Sequence, residues 1–261
     1  MRALHGETQW ATRIEQALDE NRFVLFAQRI EPLRDMAQGV HAEALLRMVE
    51  ADGSLVLPGA FLPAAERFPL APRIDRWVLK AAIAWMKAIP APDVIDIVSV
   101  NLSGQSIGDR AFHRWAIEIL LDAGPEICRK LCLEITETAA VTNLADAAMF
   151  IEQVRGVGVR VALDDFGAGA SSFGYLKTLA VDFLKIDGQF IRDLIDDPLD
   201  EAAVNCFAQV AKSIGVQTVA EFVDKPEVLE RLRTMGIDFA QGFLLHRPAP
   251  IDALLQVAHV H

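Results

Sequence analysis

Cysteine is scarce in this sequence, with three residues, Cys128, Cys132 and Cys206, among 261. They are scattered and sit beside apolar residues, so neither a disulfide framework nor a thiolate zinc site is expected. All three read as reduced core residues of a cytosolic, hence cytoplasmic, protein. Basic charge is also short: 25 Lys and Arg face 36 Asp and Glu, a net charge of −11. That balance repels a long polyanion and argues against duplex DNA or extended RNA as a partner. A small phosphorylated ligand stays open if cations stand between it and the protein. No uninterrupted apolar run reaches about 18 residues, so no membrane-spanning helix is expected. The opening MRALHGETQW has no basic stretch followed by an apolar one, so no secretory signal is expected either. Low-complexity linkers and internal repeats are missing. Residues 1–20, with the helical stretch ATRIEQALDEN, read as a connector region, and residues 21–261 as one domain.

What the sequence has is apolar mass: 52% hydrophobic residues and a mean hydropathy of +0.26, enough for a large core. From about residue 90 onward, short β-rich runs alternate with amphipathic stretches. The runs are IDIVSVNLS (95–103), KLCLEIT (130–136), RVALDDF (160–166), DFLKID (182–187), VQTVAEFV (216–223) and FAQGFLL (239–245). Helical segments fall at 110–124, 144–158 and 199–215, several ending in glycine. Near-continuous apolar strands joined by helices imply a parallel sheet covered on its faces. Two earlier runs, FVLFAQRI (23–30) and AEALLRM (42–48), raise the count to eight. Eight suggests closure into a TIM-like (β/α)8 barrel of the α/β class; an open doubly wound sheet is the alternative.

Residues two apart in a strand share a face, and in a barrel one face points at the axis. A polar residue falls near the C-terminal end of nearly every run. Glu43 and Arg47 share parity on the second, Ser99, Asn101 and Ser103 on the third, Glu134 and Thr136 on the fourth. Asp164 follows on the fifth, Lys185 and Asp187 on the sixth, Glu221 on the seventh and Gln241 on the eighth. One such carboxylate is as readily a paired core charge. Glu43, Glu134, Asp164, Asp165 and Glu221 together, with Lys185 and Arg47 to offset them, are strongly unfavourable unless cations join them. Oxygen ligands with one amide, Asn101, suit Mg²⁺, Mn²⁺ or Ca²⁺ rather than zinc. The adjacent pair Asp164-Asp165 can serve two ions, the usual clamp for in-line phosphoryl displacement. The glycine-rich FGAGASSF (166–173) then reads as a loop that orders over substrate before entering a helix. Glu137 has the opposite parity to Glu134, which suits a loop anchor better than a ligand.

With these pieces in order, the chain resembles the EAL-domain phosphodiesterases, which hydrolyse cyclic di-GMP to linear pGpG. The matching stretches are FAQRI (26–30), EALLR (43–47), NLS (101–103), EITET (134–138), DDFGAGASSF (164–173), KID (185–187), EFVD (221–224) and QGF (241–243). The resemblance implies a barrel whose first strand runs antiparallel to the rest. It implies one metal on Glu43, Asn101, Glu134 and Asp164, and a second on Asp164, Asp165 and Glu221. It also implies that Lys185 orients the nucleophilic water near Asp187 and Gln241, that Glu137 anchors the 164–172 loop, and that Gln28 and Arg47 contact the ligand. The ions would be two Mg²⁺ or Mn²⁺, with Ca²⁺ inhibitory.

The sequence departs from the family where Arg29 replaces a common proline, Phe222 a glycine and Asp224 a glutamate. Phe222, of opposite parity to Glu221, is expected to face the helices. A catalytically weak cyclic di-GMP receptor is the alternative function, and the complete acidic set favours the enzyme. A homodimer is expected, with Phe173, Tyr175, Leu176 and Leu179 of the apolar segment 171–184 offered to one face. Upstream regulatory domains are part of the same resemblance.

Overall fold

The computed structural model describes residues 2–34, 39–169 and 173–256, so part of the expected mobile loop (170–172) lies outside the described residues. All eight expected runs are strands: β1 Phe23–Arg29, β2 Val40–Val49, β3 Ile95–Leu102, β4 Leu131–Thr136, β5 Arg160–Phe166, β6 Phe183–Ile186, β7 Gln217–Ala220 and β8 Phe239–Ala240. β1 pairs with β2 antiparallel, with Gln28 opposite Glu43. The pairings from β2 through β8 are parallel. The chain just after β1 pairs back onto β8, Pro32 opposite Phe239 and Glu31 opposite Ala240. The sheet therefore curls round until its last strand meets its first. The fold is a TIM-like barrel with an antiparallel first strand, as the motifs implied.

The last two strands are shorter than their apolar runs. The amide of Val223 already bonds to the Gln241 carbonyl, and a Cβ on Gly242 would lie 2.0 Å from the Val223 carbonyl oxygen. Backbone crosses backbone there, so the chain leaves the sheet after Ala220 and Ala240.

Helices α1 Arg2–Asp19, α2 Pro58–Arg67, α3 Ala71–Ala88, α4 Arg110–Ala123, α5 Leu144–Gly156, α6 Pro198–Ile214 and α7 Pro226–Met235 surround the barrel. Their ends are written in the sequence. Asp109 and Asp197 accept bonds from the amides of Ala111 and Leu199 as N-caps of α4 and α6. Ile14 and Ala17 of α1 have no exposed surface and belong to the outer core between helices and strands. Between β5 and β6 the expected helix reduces to a 3-10 turn, Phe173–Lys177. Its Tyr175 and Leu176, and Leu179 beyond it, are buried. The apolar spacing there serves the chain's own core, so these three residues are not available to an outer face. Cys206 is likewise a correction: it is exposed on α6, whereas Cys128 and Cys132 are buried. Phe207 beside it takes the inward position.

A second apolar cluster fills the barrel's lower interior: Ile30, Ile97, Cys132, Ala162, Phe183, Val219 and Phe239. Five of these lie two residues before Ser99, Glu134, Asp164, Lys185 and Glu221, and Phe239 two before Gln241, so strand alternation stacks a polar layer directly on a dry floor. His41, two before Glu43, joins that floor, its ring 5.5 Å from Phe183 and 5.4 Å from Phe239. Burial, then Lys185 and Arg160, push its pKa down to about 3, so it is neutral at physiological pH.

Buried Asp75 on α3 fixes the turn after β3. Its Oδ2 accepts from the Ser103 amide at 2.9 Å and from the Ser103 and Ser106 hydroxyls at 2.6 Å each. Burial nevertheless outweighs these bonds and raises its pKa from 3.8 to about 6. The folded state thus holds this proton more tightly than the unfolded chain does. The resulting stability is fully present below about pH 4 and is lost as pH rises through 6. Two units correspond to on the order of 3 kcal/mol. Asp75→Asn keeps an acceptor oxygen without the charge. Relative to wild type, its urea-unfolding free energy is expected to improve between pH 4 and 7; a constant difference over that range would refute the assignment.

Candidate metal centre

The polar layer converges on one ammonium. Lys185, 1% exposed, places Nζ 2.6 Å from Glu134 Oε2, 2.9 Å from Glu221 Oε1, 3.2 Å from Asp164 Oδ1 and 3.3 Å from Glu43 Oε2. β2, β4 and β5 supply three of these carboxylates, the residue just past β7 the fourth and β6 the lysine; apart from Glu43, in the first half of β2, each lies toward the C-terminal end of its strand, where barrel enzymes keep their chemistry. Asn101 Nδ2 donates to Glu43 Oε1 at 2.6 Å, leaving the amide's acceptor oxygen for other use. Gln241 Nε2 donates to the other Glu43 oxygen at 2.7 Å and to Gln28 Oε1 at 3.2 Å; Gln28 in turn donates to the His246 carbonyl at 2.9 Å.

Adjacent residues on a pleat point to opposite faces, so Asp164 and Asp165 ought to diverge. A bulge prevents this. Leu163 pairs with Leu184 and Phe166 with Ile186, so Asp164 and Asp165 stand opposite the single residue Lys185. Asp165 adopts a left-handed φ of 53°, a conformation that costs ~1–3 kcal/mol away from glycine. Bulges re-aim side chains beside active sites, and here one oxygen each from Asp164, Asp165 and Glu221 gathers within 4.8 Å.

Charge is unbalanced. Burial raises Glu221 to about 8, with Asp164 and Glu43 adding to it against Lys185. Burial also drives Glu134 well above the carboxylate range, aided by Glu43 and Asp164. Glu43 falls instead, because Lys185, Gln241 and Asn101 outweigh its burial. Lys185 itself is pushed up: burial opposes its charge, and the surrounding carboxylates prevail. Arg47, expected as a second counter-charge, donates to the Leu46 carbonyl at 2.8 Å and lies 5.2 Å over the Phe26 ring. It does not join the carboxylates. Glu134 Oε1 is buried with no hydrogen-bond partner among the described residues. An orphaned carboxylate oxygen, an excess of anions and an all-oxygen donor set fit a divalent cation.

Glu137 sits outside this ring. β4 stops at Thr136, whose hydroxyl caps the short helix Glu137–Thr142. The buried Glu137 carboxylate accepts from the amides of Gly167 at 3.0 Å and Gly169 at 3.3 Å, and from the Tyr175 hydroxyl. Gly167 has φ 94°, and a Cβ there would lie 2.6 Å from the Phe207 ring, so the loop after Asp165 admits no side chain at this point. Asp187 caps the next turn by accepting from the Gln189 amide at 2.7 Å and lies near enough to Asp165 to help raise its pKa, after burial and Asp164.

A cavity of about 480 Å³ opens above the cluster, lined by Gln28, Glu43, Asp164, Asp165, Glu221 and Gln241. Arg192, Phe222, Asp224 and Phe243 also line it. Phe222 corrects an expectation: it walls this cleft, 55% exposed, instead of facing the helices. β7 has ended at Ala220 and Phe222 has a φ of 55°, so strand parity no longer decides its direction. Arg192 and Phe243 carried no spacing signal beyond the nearness of Phe243 to Gln241.

Residues 11–248 match the family model described as the EAL domain. The chain is 39% identical over 93% of its length to Cyclic di-GMP phosphodiesterase PdeB of Shewanella oneidensis. It is 34% identical over 98% to Cyclic di-GMP phosphodiesterase PdeF of Escherichia coli. It spans 28% and 34% of those two longer proteins. Among solved structures, it matches the MucR phosphodiesterase of Pseudomonas aeruginosa in complex with c-di-GMP, with a TM-score of 0.83 and 34% identity, covering 94% of this chain and 99% of that one. The FimX EAL domain from the same species, bound to c-di-GMP, aligns with a TM-score of 0.83 and 28% identity over 92% and 96% of the two chains.

Proposed function

The chain belongs to the EAL-domain family, and on that premise we propose that it is a divalent-metal-dependent phosphodiesterase that hydrolyses cyclic di-GMP to linear pGpG. The relatives named as cyclic di-GMP phosphodiesterases and the neighbour solved with c-di-GMP support the substrate. The observation that carries the activity is the complete acidic set around Lys185 at the barrel mouth. Glu43, Asn101, Glu134 and Asp164 are assigned to one Mg²⁺ or Mn²⁺, and Asp164, Asp165 and Glu221 to a second. Such ions lower the pKa of water and offset charge on a phosphodiester. Lys185 orients the attacking water and donates to the charge that develops on the phosphate, with Asp187 beside Asp165. Water adds at one phosphorus, the bond to the 3′ oxygen breaks, that oxygen takes a proton, and the 5′ phosphate stays on the product. Gln28 and Gln241 hold the ligand at the Glu43 side, and Arg47 is assigned to a phosphate, which requires its guanidinium to turn from the Leu46 carbonyl.

Incubation with cyclic di-GMP and Mg²⁺ or Mn²⁺, followed by chromatography, is expected to yield pGpG. Binding without product would identify a receptor instead. Mg²⁺ or Mn²⁺ should raise Tm, and Asp164→Asn, which removes the carboxylate shared by both sets, should abolish both that rise and turnover. Ca²⁺ should compete yet support little turnover, being larger and less polarising. An unchanged Tm on metal addition, or full activity in Ca²⁺, would overturn the metal assignment.

A further inference from the structure

Asn101 stands where β3 loses support on one side. The ladder to β2 closes at Ala44 opposite Val100, whereas the ladder to β4 runs on through Asn101 opposite Glu134 and Leu102 opposite Ile135. A cavity of about 290 Å³ opens where β2 departs, bounded by Leu45, Leu62 of α2, Val78 of α3, Asn101 and Thr136. A void supplies none of the close contacts that hold a packed segment in place, so on this side the end of β3 has to be held by bonds. Asp75 provides them. Its carboxyl lines the same cavity and is 7% exposed. One of its oxygens takes the Ser103 amide together with the Ser103 and Ser106 hydroxyls. Ser103 Oγ accepts in turn from the Ser106 amide at 3.2 Å. A single carboxyl on α3 thus closes the whole turn that begins two residues beyond Asn101.

We propose that Asp75 is a positioning residue of the metal centre: from α3 it fixes the end of β3, and through it the direction of the Asn101 amide. The proposal rests on the metal assignment given above and adds to it a residue outside the cleft. Asn101 is tied to Glu43 through Nδ2 at 2.6 Å, which leaves the placing of its other oxygen to the backbone. Without Asp75, three donors of the turn lose their acceptor and must turn toward water to find another. The backbone just before them then shifts into the cavity, and the Asn101 oxygen moves away from Glu134 and Asp164. Residues that hold a metal ligand from behind are commonly worth about 10–100-fold in metal affinity.

Calorimetric titration of the substrate-free protein with Mn²⁺, well below Tm, tests this. Asp75→Ala should weaken the site assigned to Glu43, Asn101, Glu134 and Asp164 by about tenfold or more. The site that includes Asp165 and Glu221 should be unchanged. Asp75→Asn, which keeps an acceptor oxygen, should restore wild-type affinity. In an Asn101→Ala background, Asp75→Ala should weaken Mn²⁺ binding no further, because the two residues act in series. If Asp75→Ala is too unstable to titrate, Ser103→Ala carries the test. It removes one bond to the carboxyl and should cost about threefold, the scale of a single hydrogen bond; unchanged affinity there overturns the proposal. A lower Tm in Asp75→Ala with both metal sites intact also overturns it, and makes Asp75 a support for the fold only. So does an equal loss of affinity when Asn101 is already alanine. A wild type that binds no Mn²⁺ overturns the metal assignment itself. That result differs from tight binding by the wild type with an indifferent Asp75→Ala.

Discussion

Lys185→Ala is expected to lower kcat by ~10²–10³-fold, the usual cost of losing one preorganised donor to developing charge, while metal and cyclic di-GMP still bind. Nζ lies within 3.3 Å of four carboxylates, whereas Glu43 and Asn101 are joined to each other directly. Removing the ammonium therefore leaves the oxygen donors in place. It also removes the cation that meets all four. Breaking a buried charge pair by deleting one partner costs ~3–5 kcal/mol, and ions can supply the missing charge. Mn²⁺ should accordingly raise the variant's Tm more than the wild type's. Titration of Tm with metal, calorimetry with cyclic di-GMP and steady-state kinetics measure the three effects separately. Loss of ligand binding, or a wild-type kcat, would refute the role.

Alternation of period two makes most of the site legible in the sequence. Glu43, Glu134, Asp164, Lys185, Glu221 and Gln241 each sit on an inward face or directly beyond it, two residues above a floor residue or His41. Where that period fails, so does the sequence reading. Asp165 reaches the cleft through a bulge, and Phe222 through a left-handed backbone beyond the end of its strand. Neither conformation leaves a periodic trace: a bulge breaks the alternation with a single extra residue, and Phe222 is a type that usually avoids left-handed backbone. Arg47 kept its inward parity, yet its guanidinium turns to the Leu46 carbonyl and the Phe26 ring. Parity fixes the direction of a Cβ and leaves the end of a long side chain free. The apolar spacing of Tyr175, Leu176 and Leu179 matched a helix, but a 3-10 turn buries the same residues. Cys206 misled for the opposite reason, since an apolar neighbour on a helix reports the buried face of the neighbour only.

Glu137→Ala is expected to act through metal affinity, which separates it from Lys185→Ala. The Glu137 carboxylate is 1% exposed and receives two loop amides, Gly167 and Gly169, and the Tyr175 hydroxyl. Alanine leaves those three donors unpaired, and each buried donor without a partner costs ~1–3 kcal/mol. The loop can recover them only by moving toward water. Gly167 is two residues from Asp165, whose carboxylate depends on a strained bulge for its direction. A relaxed loop removes what enforces that strain, so Asp165 should swing away from Asp164 and Glu221. Glu43, Asn101 and Glu134 stand on other strands and should be undisturbed. Metal titration should then show one tight and one weakened site, the latter by about tenfold or more, and kcat/KM should fall by ~10² at limiting Mn²⁺. Excess Mn²⁺ should recover much of that loss, whereas in Lys185→Ala it should recover none of kcat. Tyr175→Phe removes a single donor and should be milder on both readouts. Wild-type turnover by Glu137→Ala at limiting metal, or a loss that excess metal leaves untouched, would show that Glu137 does not work through the Asp165 loop.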